Sequence, residues 1–187
     1  GMAFNYNSQQ PASQLKGLTG WYYDAIEPPS STPVFDFVNK VPELMRTDSQ
    51  VNFLWPNAVP PAPAVPTDNF LVKWTGFIQV PTAGSYQFGV LRNGAAKVLL
   101  NDVEVANSWT VDETLTPVYG AATSVTAAAT KVEIQYYDTT GDSRIELWYK
   151  SGSQTGIVPA SWFSTAPQTL PAGWGSSTPI AGGSGVY

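Results

Sequence analysis

Residues 70–80 read Phe70-Leu71-Val72-Lys73-Trp74-Thr75-Gly76-Phe77-Ile78-Gln79-Val80. Phe70, Val72, Trp74, Ile78 and Val80 fall on one side, and Lys73, Thr75 and Gln79 on the other, interrupted by Leu71 and Phe77. A side-chain period of two marks a half-buried strand. Pro81-Thr82-Ala83-Gly84 follows as a turn, because proline presets φ and glycine tolerates a positive one. Tyr86, Phe88 and Val90 then alternate through residues 85–91. The two runs are expected to pair as a hairpin with a four-residue loop.

The same period recurs outward from this stretch. Residues 97–100 and 103–105 flank Asn101-Asp102, a two-residue turn that tolerates left-handed backbone. Val132, Ile134 and Tyr136 alternate with Lys131, Glu133 and Gln135; after the loop 138–142, Ile145, Leu147 and Tyr149 alternate with Arg144, Glu146, Trp148 and Lys150. That reads as a further hairpin. Residues 41–46 alone look helical, for one or two turns. The predicted fold is therefore all-β: an antiparallel β-sandwich with long loops and at most one short helix.

Prolines 56, 60, 61, 63 and 66, ahead of the Phe70 run, cannot sit in a central strand, since proline donates no ladder N–H, and predict an extended loop over the sandwich. Residues 1–15 lack periodicity and read as a tail; residues 16–165 hold the sandwich; residues 166–187, rich in Gly, Pro, Ser and Thr, read as a linker, with Leu170 and Trp174 able to anchor it. Both tails suggest a segment cut from a longer protein.

Composition narrows the chemistry. The 187 residues carry 9 basic and 14 acidic side chains, a formal charge of −5, and neither histidine nor cysteine. A Ser-His or Cys-His dyad, an imidazole metal site, a disulfide and a thiolate zinc site are all excluded. The acidic balance opposes nucleic acid and anionic membranes as partners, and no apolar run reaches the ~20 residues of a membrane helix. Few charges with abundant aromatics, glycine and proline suit a β-rich extracellular module.

Several blocks together resemble the protective-antigen (PA-fourteen) domain family. Its aromatic, basic residue, Trp-Thr-Gly, proline turn, Gly and Tyr-x-Phe run stands here as Phe70, Lys73-Trp74-Thr75-Gly76, Pro81, Gly84, Tyr86 and Phe88. Gly17-Leu18-Thr19-Gly20-Trp21-Tyr22-Tyr23 resembles its opening strand, and Val51-Asn52-Phe53-Leu54-Trp55 its second block. Trp109, residues 132–137 and 145–149, and Val158-Pro159 match later blocks. The resemblance covers about residues 15–165 and implies a β-sandwich, an extracellular or cell-surface setting, and often glycan recognition without catalysis.

Calcium-dependent sugar binders of that family carry two adjacent aspartates after the Tyr-x-Phe strand. Here the loop reads Leu91-Arg92-Asn93-Gly94. Calcium takes six to eight oxygens, usually with several carboxylates, so no cofactor is expected and metal-dependent binding is disfavoured. Arg92 is expected to replace the ion by pairing with Asp138 or Asp142. The expected ligand-binding residues are Arg92, Asn93, Asp138, Thr139 and Asp142, with no metal ligands and no catalytic residues.

The remaining carboxylates, Asp102, Glu104, Asp112 and Glu113, lie in or beside predicted turns, where they cap N–H groups or face solvent, so a hydrolase pair is disfavoured. Trp21, Trp109, Trp148 and Tyr137 are candidate platforms for a sugar face, although edge packing explains each more simply; Trp148 and Tyr137 point away from the apolar faces of their runs. Trp74 and Phe88 read as core. The expected function is a non-catalytic carbohydrate-binding or adhesion module of a larger protein. It meets a glycan or cell-surface ligand and its own flanking domains, not nucleic acid, and without membrane insertion. The alternative is a structural spacer without a small ligand; the Gly-Trp-Gly tail resembles segments adjoining Rhs/YD-repeat shells.

Overall fold

The computed structural model describes residues 15–167. The expected tail and linker, with Leu170 and Trp174, lie outside the described residues apart from Leu15, Ala166 and Pro167. Among those residues the chain is almost entirely strand: β1 (Leu18–Asp24), β2 (Leu44–Asp48), β3 (Asn52–Trp55), β4 (Phe70–Ile78), β5 (Gly84–Leu100), β6 (Val103–Glu113), β7 (Val118–Tyr119), β8 (Thr123–Val125), β9 (Thr130–Asp138), β10 (Ser143–Ser151), β11 (Gln154–Ile157) and β12 (Phe163–Ser164). A 3₁₀ turn at Ala160–Trp162 precedes the last.

All pairings are antiparallel, and the main order is β11-β10-β5-β9-β4-β1-β2. The 17-residue strand β5 joins the two layers. On one of its edges, Leu100 to Ala95 face β9 (Val132 to Tyr137), and Asn93 to Gln87 then face β10 (Arg144 to Lys150). On the other edge β6, β7 and β8 follow one another in the same way. Three bent ribbons thus run through both halves of the sandwich, and the bend in β5 comes at Gly94. The curled sheet closes on itself through side chains. Phe53 of β3 stacks on Trp74 of β4 at 5.6 Å, and Trp55 meets Phe70 edge-on at 5.9 Å, between strands that share no ladder.

Two expected hairpins are therefore corrected. Strands β4 and β5 do not pair, since β9 lies between them, and the turn after β4 links two layers. Strands β9 and β10 do not pair either; they lie end to end along one edge of β5, with residues 139–142 looping out between them. Alternation reports which face is buried but not which strand lies alongside, so neighbours in sequence were paired that the sandwich keeps apart. The Asn101-Asp102 hairpin does form: Leu100 pairs Val103, with φ of 48° and 67° at the two turn residues.

Residues 41–46 are not helical, because residues 44–48 form β2 against β1. Tertiary bonding decides this strand. Asp48, buried between the layers, accepts hydrogen bonds from the Tyr22 hydroxyl, from Trp74 Nε1 at 2.9 Å and from Arg46 Nε at 2.8 Å. Arg46 also donates to the Tyr22 oxygen at 2.9 Å and to the Pro61 carbonyl at 3.2 Å, tying the proline loop to the sheet edge. Burial, and then the neighbouring Asp48 carboxylate, push the Tyr22 phenol far above its ordinary pKa, so it stays a donor.

The main core holds Phe70, Val72, Trp74, Ile78, Phe88, Ile134, Tyr136 and Phe163, all buried. Leu71, which broke the alternation of β4, is also fully buried, on the opposite face. It packs with Tyr23 and Ala25 beneath Phe35 and Phe37, from the long segment between β1 and β2. The two ends of the described chain meet: Lys16 bridges Ser164, and the Thr165 N–H donates to the Leu15 carbonyl at 2.6 Å.

Candidate functional site

The bend of β5 and the loop between β9 and β10 make one corner. At Gly94 φ is +128°, and an added Cβ would lie 2.6 Å from the Tyr137 carbonyl oxygen, so glycine is required by conformation and by space. The Tyr136 hydroxyl donates to the Asn93 carbonyl and accepts the Arg144 N–H at 3.2 Å, fastening both sides of the bend. Asn93 and Arg144 are in register, as are Ala95 and Tyr137, so residues 138–143 emerge beside Asn93.

Asp138 is 2% exposed and anchors this loop. Its Oδ1 accepts the Thr139 N–H at 2.8 Å, and its Oδ2 accepts the Ser143 hydroxyl at 2.6 Å. The Asn57 N–H donates to Asp142 at 2.7 Å and the Asn69 N–H to the Thr139 carbonyl at 2.8 Å, which brings the proline loop and the start of β4 to the corner. Outermost are the half-buried Asn93 and Thr139 and the exposed Thr140 and Asp142. Asn93, Asp138, Thr139 and Asp142 therefore share one corner, with Asp138 inside it.

Arg92 departs from expectation. It is 5% exposed and makes no ion pair with Asp138 or Asp142. Its guanidinium turns toward β6, donating from Nε to the Gly94 carbonyl at 3.1 Å and from Nη2 to the Thr110 carbonyl at 3.0 Å. Burial lowers its pKa, and attraction from Asp112 opposes the fall. Where β5 bends at Gly94 and β6 leaves its ladder register near Thr110, backbone carbonyls need donors, and the guanidinium serves these instead of the loop carboxylates.

Burial raises the Asp138 pKa to about 6, opposed by the hydrogen bonds from Ser143 and Thr139 and reinforced by repulsion from Asp68 and Asp142. A carboxyl that holds its proton more tightly when folded stabilises the fold at low pH, and that contribution fades as pH rises through 6. Acidification from pH 7 to pH 4 is therefore expected to favour folding by about 2 kcal/mol through this one group. Asp138→Asn should remove that increment, read as the difference between variant and wild-type denaturant midpoints at the two pH values. An unchanged difference would refute the assignment.

The corner does not fit calcium. Both Asp138 oxygens already take N–H or O–H donors and Asp142 Oδ1 takes another, which leaves Asp68 Oδ1 as the one buried side-chain oxygen among the described residues still open to a cation. Among the described residues no three acidic side chains are grouped to hold a metal ion. This falls well short of six to eight oxygens.

The aromatic candidates are partly engaged. Tyr137 stacks on Phe35 at 4.3 Å; Trp109 stands edge-on to Tyr137 at 4.8 Å, with Lys97 Nζ 4.6 Å from its ring centroid. Trp21 donates to Thr75 Oγ1 and Trp148 to Glu146. Asn57, Asp68 and Tyr136 were not anticipated at the corner. Ser143, closing the loop that Asp138 opens, carried a local signal; Asn57 and Asp68 meet the loop only through folding.

A family model for the PA14 domain matches residues 15–167. No curated protein matches the chain. Among solved structures, an anti-sigma factor domain-containing protein from Clostridium clariflavum superposes with a TM-score of 0.66 at 22% identity, over 84% of this chain and 49% of that one. The chain thus spans about half of that relative. The PA14 domain of the MpAFP antifreeze protein gives 0.67 at 16% identity, over 82% and 93%. A PA14 sugar-binding domain from an RTX adhesin gives 0.65 at 17% identity, over 81% and 99%.

Proposed function

This chain belongs to the PA14 domain family, and from that premise we propose that it is a non-catalytic, extracellular recognition module of the carbohydrate-binding or adhesion type, part of a larger protein. The observation that carries the reading is the corner itself. Asn93, Thr139 and Asp142 stand at the surface on a backbone fixed from behind by Tyr136, Asp138 and Ser143. Amide, hydroxyl and carboxylate groups on a rigid frame are what a polyol needs for orientation without reorganisation cost. The similarity to a sugar-binding domain of an adhesin supports glycan as the ligand class.

The test is a glycan array probed with and without calcium, repeated on Asn93→Ala. Saturable binding that weakens about tenfold or more in the variant, the loss of one or two hydrogen bonds to a ligand, is the expected result. Silence of the folded protein across a broad array would favour a spacer that holds its neighbours apart.

A further inference from the structure

Between the register pairs Gly94–Asp112 and Ala96–Ser108, strand β6 carries three residues, Trp109, Thr110 and Val111, opposite Ala95 alone. Such a bulge bends the strand and takes backbone groups out of the ladder. The Thr110 carbonyl sits in the middle of it. Arg92 reaches that carbonyl with one arm and the Gly94 carbonyl with another, so one guanidinium joins the bend of β5 to the bulge of β6. The main chain closes the same joint next door: Thr114 N–H donates to the Arg92 carbonyl at 2.8 Å, and Arg92 N–H to Thr114 Oγ1 at 3.2 Å.

We infer that in this chain the Arg92 side chain, rather than a divalent cation, ties the bend of β5 to the bulge of β6 behind the corner, and that recognition at the Asn93 rim is independent of calcium. The Gly94 and Thr110 carbonyl oxygens are ligands a hard cation would use, and the guanidinium already occupies both. Its positive charge repels a second cation at that place in proportion to the incoming charge. A guanidinium is also weakly hydrated and forked, which suits a nearly buried position with separated acceptors. The calcium-independence of recognition rests on the reading given above; the brace does not.

Calcium alone is the probe, with no sugar present. Titration of the wild-type protein with calcium chloride to about 10 mM, followed by excess chelator, should leave the melting temperature within about 1 °C. A site with a dissociation constant near 0.1 mM would raise it by about 5 °C or more. In Arg92→Met, which keeps the stem and removes the donors, amide hydrogen exchange at residues 93–95 and 110–114 should accelerate at least about tenfold more than elsewhere. A saturable calcium-induced rise in the wild type overturns the inference, as does a folded Arg92→Met with wild-type exchange at the joint. If that variant does not fold, the wild-type titration decides alone. A silent glycan array would remove the recognition reading and leave both measurements unaffected.

Discussion

Asp48→Asn is expected to destabilise the domain by about 2–4 kcal/mol, because it disturbs a buried carboxylate that serves two buried donors and a partly exposed arginine. The carboxylate is 7% exposed and gathers three donors: Arg46 from its own strand, Tyr22 from β1 and Trp74 from β4. An amide of the same size keeps the packing but presents only one acceptor oxygen and adds two donors of its own. At least one of the Tyr22, Trp74 and Arg46 donors then loses its acceptor inside the sandwich, and the Arg46 charge loses its counterion. Guanidinium denaturation would read the loss as a lower midpoint with an unchanged slope. A shift below about 1 kcal/mol would show that water or Pro61 substitutes for the carboxylate, and the network would lose its place as the tie between β1, β2 and β4.

Gly94→Val acts elsewhere, at the bend. Its φ of +128° is closed to a β-branched residue, and the new Cβ would meet the Tyr137 carbonyl oxygen at 2.6 Å, with Tyr136 ring and hydroxyl atoms at 2.8 Å. Backbone strain alone costs about 1–3 kcal/mol. The clash adds to it because the nearest atom belongs to a paired strand. A total of about 3 kcal/mol or more is expected, with the Asn93 carbonyl pulled from the Tyr136 hydroxyl and the loop at 138–143 displaced. The informative readout is double: a lowered denaturation midpoint, and lost protection of the Asp138–Ser143 region in any fraction that stays folded. Wild-type stability in this variant would mean that β5 can pass between layers by another route.

The layered all-β architecture was legible because the sorting of apolar and polar side chains is written every second residue. Phe70, Trp74, Phe88 and Tyr136 all fall where alternation put them. Partnership was not legible, since a strand carries no mark of its neighbour. Residues 132–136 and 145–149 suggest a hairpin as strongly as residues 97–105 do, yet only the latter pair with each other. The Asn101-Asp102 turn differs in having side chains that tolerate left-handed backbone, and that local chemistry was readable. At the corner, the proximity of Asn93, Asp138 and Asp142 could be anticipated from family resemblance. The direction of Arg92 could not, because its acceptors are backbone carbonyls exposed by a bulge, and backbone carbonyls are identical in every sequence. The helical look of residues 41–46 failed for a related reason: Asp48 is drawn inward by Tyr22 and Trp74, which lie 26 positions before and after it.

The meeting of Lys16 with Ser164 and of Leu15 with Thr165 gives the sandwich a single doorway. A pull applied to the strands leaving through it runs directly from one to the other and bypasses the folded body. Such a pull would load the Lys16–Ser164 bridge first and then the short pairing of Phe163 and Ser164 with β4, before it reached the ladder between β5 and β9. A chain held by both ends would carry the domain to one side of the line of tension, and the rim would keep its shape while the doorway alone was strained.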